Sequence, residues 1–217
     1  NGSSILVNEK GLEIKEAFVK ALSGALCLDQ ITNKYTNPYY LDLQDNQEEI
    51  IIFDVPVTDM QRYWDKGFGY LYGLDDQINP SLAVGVLLNK ILGQVNNVQL
   101  PGIGEAVYDA FIIGRSAIGN NDYETRNQQS IIIKNLLDKV IAQKAVDFLL
   151  AGAETISSGQ QPQDAFSYLS SAYGLIVSLQ FTNFFTNPEV NYMLDQMMVG
   201  DGFWDVTVDD LNSFVDS

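Results

Sequence analysis

The stretch DYETRNQQSIIIKNLLDKVIAQKAVDFLLAGAETIS, residues 122–157, decides the class of fold. Ile133, Leu137, Val140, Ala145, Phe148 and Leu149 return at helical spacing and make one apolar stripe along it. Asn120-Asn121-Asp122 reads as the turn and cap before this long helix, and Ser157-Ser158-Gly159-Gln160-Gln161-Pro162 as the polar loop that ends it.

The same periodicity continues outward, with helices expected over 80–94, 102–119 and 163–182. Asn79-Pro80 and Asn187-Pro188 repeat one device, Asn as N-cap and Pro at the first helical position, where its missing N–H is harmless. Thr58-Asp59 caps a helix carrying Met60, Tyr63, Trp64, Phe68 and Leu71. Gly67, Gly69 and Gly73 each cost that helix roughly 1 kcal/mol of propensity, which suits positions of close packing. Thr207 with Asp210 gives a capping-box-like start to a last short helix.

Upstream, a first helix is expected from Gly11 to Ile31, with Leu12, Phe18, Val19, Leu22 and Leu26 on or near its core face. Residues 32–57 read as a long connection in which only Ile50-Ile51-Ile52-Phe53 is extended or buried. The sum is an all-α, antiparallel helical bundle forming a single domain over 1–217. Two bundles sharing a long helix remain an open alternative.

A chain of 217 residues with 46% hydrophobic content can bury a core without disulfides or structural metal. Its net charge of -16 repels phosphate backbones and anionic headgroups, which argues against nucleic acid and bare membrane as partners. Histidine is absent, removing the usual general base and metal ligand. The single cysteine, Cys27, lies in an apolar run and reads as an inert core thiol. The longest apolar runs fall short of the roughly 20 residues that a membrane helix needs.

Local motifs add little chemistry. Gly67-Phe68-Gly69 and Gly102-Ile103-Gly104 lack both strand–helix context and the P-loop Lys-Ser/Thr pair. Asp75-Asp76 and Asp209-Asp210 lack EF-hand spacing and read as solvated surface. Met193, Met197 and Met198 form either a soft-metal stripe or core, and adjacent methionines point to different faces. The aromatics Tyr63, Trp64, Phe68, Tyr70 and Tyr72 either pack a core or line a pocket for a flat ligand.

Four segments occur in an order that resembles a known family: Asn8-Glu9-Lys10-Gly11, Trp64-Asp65-Lys66-Gly67-Phe68-Gly69-Tyr70, Ala110 through Ile118, and Ala165 through Leu179. The Gly114-Arg115-Ser116-Ala117-Ile118 stretch is followed by Asn121-Asp122-Tyr123. Together they resemble the domain-of-unknown-function family numbered 4856, itself similar to the imelysin-like proteins. The resemblance implies an all-helical envelope protein of a Gram-negative bacterium, lipid-anchored at the outer membrane, periplasmic or surface-exposed, and associated with iron or haem acquisition. It also implies that Asn1 falls inside the family domain, so that the chain is its C-terminal part, with any lipid anchor outside it.

The departures from imelysins bear on chemistry. Their Gly-x-His-x-x-Glu motif has no counterpart; Arg62 and Tyr63 stand where related sequences place His, and Lys66 where an acid is common. Only Asp65 persists as a weak candidate metal ligand, and no catalytic residue is assigned. A ligand pocket is expected beside Trp64, Asp65, Tyr70 and Arg115, with Arg115 alternatively a structural partner of Asp65. The expected function is a non-enzymatic envelope binding or accessory lipoprotein working with an outer-membrane transporter in uptake of iron, haem or another nutrient. A divergent imelysin-type peptidase and a structural subunit of an outer-membrane assembly are the alternatives.

Overall fold

A computed structural model describes residues 6–52, 54–73, 81–82 and 85–216. The chain is an all-α helical bundle whose contacts divide into two compact units: Asn1–Gly24 with Ile141–Ser217, and Ala25–Val140. No helix among the described residues is long and apolar enough to cross a membrane. Both dividing points fall inside helical segments, one of them in the 122–157 stretch.

The first unit contains α1 (Ile14–Leu22), α7 (Phe166–Leu179), α8 (Asn187–Met197) and α9 (Val208–Val215). It also holds the later part of α6 (Tyr123–Ser157), where Ala145, Leu149 and Ala153 are buried. Helices α1 and α7 run parallel, joined by a seam of small residues rather than an apolar stripe. A Cβ on Gly174 would lie 2.2 Å from the Ala17 carbonyl oxygen, so only glycine allows the approach. Serines rivet the seam: Ser170 Oγ accepts from the Glu13 N–H at 2.8 Å, Ser178 Oγ accepts from the Gly24 N–H at 3.1 Å, and Ser171 donates to Glu16 at 2.8 Å.

This seam corrects the expected core face of the first helix. Ala17 is buried, whereas Phe18, Val19 and Leu26 are exposed. The helix also changes pitch after Leu22, passing through wider π turns at Ser23–Leu28 and Gln30–Tyr35. Each wide turn closes on the fifth residue rather than the fourth, so a face drawn at 3.6-residue spacing drifts off the core. Cys27, Leu28, Ile31 and Thr32 are buried instead, Cys27 with its thiol pushed above the ordinary range by burial.

The second unit contains α2 (Pro38–Leu41), a hairpin of β1 (Glu49–Ile52) and β2 (Val55–Thr58), α3 (Asp59–Tyr72), α4 (Leu87–Val98), α5 (Ile103–Gly119) and the first part of α6. The expected connection over 32–57 is thus broken by a π turn, a short helix and a hairpin; Ile50 to Ile52 are extended, as one of the two readings had it, and Ile50 and Ile51 are exposed. Phe53 lies outside the described residues. The strands pair antiparallel, Glu49 opposite Thr58.

Thr58 caps α3 as expected: its hydroxyl accepts from the Gln61 N–H at 3.2 Å while the Gln61 side chain accepts from the Thr58 N–H at 3.0 Å. Helices α3 and α5 cross antiparallel through Trp64, Phe68, Tyr72, Tyr108 and Phe111, ring on ring in mostly edge-on contacts. The start expected at Asn79-Pro80 lies outside the described residues, as does Asp75-Asp76. Helix α4 instead begins at Leu87 and extends to Val98.

Helix α8 also corrects the sequence reading. Thr186, not Asn187, is its N-cap; the Thr186 N–H and hydroxyl both donate to Glu189, at 2.7 and 2.8 Å. Helix α9 starts as expected, with Thr207 and Asp210 exchanging bonds. Helix α6 keeps the expected boundaries, though Phe148 is only half-buried on its stripe.

Candidate functional site

Helices α3 and α5 bring Asp65 and Arg115 together. The Arg115 Nε–H donates to Asp65 Oδ1 at 2.8 Å. Their side chains are 45% and 28% exposed, so the pair lies at the rim of the helix contact rather than inside it. Desolvation pushes the Asp65 carboxyl above its usual range, and Arg115 offsets this only in part.

Trp64, next to Asp65 on α3, is 1% exposed. Its indole N–H donates to the Phe111 carbonyl at 3.0 Å, and a Cβ on Gly114 would sit 2.2 Å from its ring. Gly114 is therefore the slot that admits the tryptophan. Tyr70 belongs elsewhere: it stacks on Tyr35 at 5.4 Å and, with Lys66, Leu26 and Val86, lines a cavity of about 500 Å³. The four residues expected around one pocket thus divide into a core anchor, a half-exposed ion pair and the wall of a separate cavity.

Asp65 has Arg115 as its neighbour rather than further acids. Among the described residues, no group of three or more Cys, Asp or Glu side chains is placed to hold a metal ion.

A concavity lies in the first unit, between α8 and α9. It measures about 660 Å³ and is walled by Phe185, Tyr192, Met193, Met197, Val206 and Phe214. Met193 and Met197 fall one helical turn apart and are both buried, while Met198 is only half-buried, so the two turned inward form the floor.

The connection from α8 to α9 holds this wall in place. Gly200 and Gly202 both adopt positive φ, +60° and +69°, which a side chain would resist. The Phe203 N–H donates to the Lys10 carbonyl at 2.9 Å, and the Lys10 amine donates to the carbonyls of Met198, at 3.2 Å, and Gly200. The Asn8-Glu9-Lys10-Gly11 segment is therefore a strap on the α8–α9 connection, its own turn fixed by Asn8 Oδ1, which accepts from the Leu12 N–H at 2.9 Å.

Glu189, Asp205 and Asp210 also line the cavity. Hydrogen bonds from Thr186 and Thr207 hold the Glu189 and Asp210 carboxyls below the usual carboxylate range, and Asp205 accepts from the Asp201 N–H at 2.8 Å. Glu189 and Asp210 therefore remain ionised at neutral pH, and all three acids are engaged by backbone, which suits an electrostatic wall better than a proton-transferring acid. All 12 Lys and Arg residues occur at or before Lys144, so the chain from residue 145 onward carries only acidic charge. Sequence reasoning found the two helix starts and the methionines but missed this charge asymmetry, the signal that marks the site.

The profile of the family "Domain of unknown function (DUF4856)" matches residues 1–216, and the chain belongs to that family. No curated protein and no solved structure matches it. The motifs carrying the resemblance have structural work in the fold: Trp64 wedges into Gly114, Arg115 meets Asp65, and Asn8 through Gly11 straps the α8–α9 connection.

Proposed function

We propose that this chain is a non-enzymatic binding or accessory protein of the cell envelope that receives an apolar small molecule between α8 and α9. The observation that carries the reading is the cavity of about 660 Å³ with a thioether and aromatic wall, a size and lining typical of ligand pockets. The envelope setting, a lipid anchor beyond this chain and service to an outer-membrane transporter rest on the imelysin-like resemblance.

Haem and iron fit this cavity poorly. Among the described residues its carboxylates, Glu189, Asp205 and Asp210, form no group placed to hold a metal ion, its thioethers are soft ligands, and the same carboxylates would repel haem propionates. Another nutrient is the better cargo. Titration with N-phenyl-1-naphthylamine, a neutral apolar fluorophore, tests the reading. Saturable binding with one site, abolished by Met193→Trp in a variant that keeps its helical circular dichroism, is expected; no saturable binding by the parent chain would overturn it.

A second reading, as a structural subunit of an envelope assembly, draws on Ile14 and Phe18, which stand more than half exposed on α1. Native mass spectrometry showing a stoichiometric protein companion would favour it.

A further inference from the structure

We infer that the α8–α9 cavity selects an amphiphilic organic cation, an apolar body carrying one ammonium group. This rests on the binding role proposed above and names its ligand class. The apolar part of the argument is depth. A second cavity of about 380 Å³ lies in the same unit and shares Phe185, Met193 and Phe214 with the first. Those three side chains separate two apolar spaces, and methionine and phenylalanine rotamers adapt readily to an inserted chain. A slender hydrocarbon tail suits such a wall better than a broad helix face does.

The charged part is complementarity. Glu189, Asp205 and Asp210 contribute carboxylates to the cavity wall. Lys10, beside this segment, turns its amine onto the carbonyls of Met198 and Gly200 instead of onto these acids. Exposed Tyr192 adds a ring face that attracts an ammonium group. An anionic amphiphile meets three like charges at the same wall, while the neighbouring ammonium of Lys10 is engaged by backbone carbonyls.

Isothermal titration calorimetry with octyltrimethylammonium, octyl glucoside and octanoate, each below its micelle concentration, tests this on the whole chain. The cation is expected to bind about tenfold tighter than the neutral probe, the octanoate weakest, with the advantage fading toward 1 M salt. The double variant Glu189→Gln with Asp205→Asn keeps a hydrogen-bond acceptor at each position and should bring the affinity for octyltrimethylammonium down toward that for octyl glucoside. Equal binding of all three probes overturns the charge selection and leaves the binding role standing. Binding by none of them overturns both. Tighter binding of a Lys/Leu-rich amphipathic peptide than of octyltrimethylammonium overturns the small-molecule assignment in favour of protein docking.

Discussion

The α3–α5 crossing and the α1–α7 seam solve one packing problem with opposite materials. In the first, a full tryptophan enters a glycine slot and large rings fill the space around it. In the second, glycine meets backbone, and serine hydroxyls take the place of rings. Both glycines would put a Cβ 2.2 Å from a neighbour, a ring atom at Gly114 and a carbonyl oxygen at Gly174. Buried volume stabilises one contact and backbone proximity with hydrogen bonding stabilises the other, so they should respond differently to substitution.

Trp64→Ala should show the largest effect, a loss of about 3–5 kcal/mol in urea unfolding, because it removes the indole and leaves a cavity. Gly174→Ala should follow at about 1–3 kcal/mol, since the seam must open against backbone that cannot rotate away. A loss for Gly174→Ala as small as that of an exposed substitution would mean that the seam is looser than its geometry. Ser178→Ala should cost about 0.5–1.5 kcal/mol by removing the acceptor for the Gly24 N–H.

Asp65→Asn should have the smallest effect, within about 1 kcal/mol at pH 7, because its partner pair is half exposed. Its pH dependence has a definite sign. Desolvation raises the folded-state value of this acid, so its ionisation disfavours the native state. The native chain should therefore lose a little stability as pH rises from the ordinary aspartate value through the raised one, and Asp65→Asn should flatten that step. Denaturation curves collected across the acid range measure it, and a step of opposite sign would show Arg115 to dominate.

This contrast also explains what was legible in the sequence. Helix α6, the Thr58 cap and the Thr207 start announced themselves through periodicity and side-chain chemistry confined to a few neighbouring positions. The core face of α1 did not, because Phe18 outweighs Ala17 on any hydrophobic count, while closeness to Gly174 depends on a helix more than a hundred and fifty residues later. Arg126 was missed for a similar reason: a residue type usually found at the surface is 1% exposed here, donating to Asp42 at 2.7 Å and lying over the Tyr123 ring. Of the candidate site, the sequence pattern joined Asp65 to Arg115 but placed Trp64 and Tyr70 with them, since adjacent helix positions point to different sides. The α8–α9 cavity depends on two helix starts and a strap from Lys10, a relation that only folding creates.

Burial of the sole cysteine gives the protein a built-in clock. Cys27 borders the cavity beside Tyr70, but it is buried and its thiol is pushed up by burial, so it should answer Ellman's reagent far more slowly than an exposed cysteine. The slow yellow colour that develops in a solution of native protein would then count opening events around one atom, and its dependence on urea would separate local breathing from global unfolding.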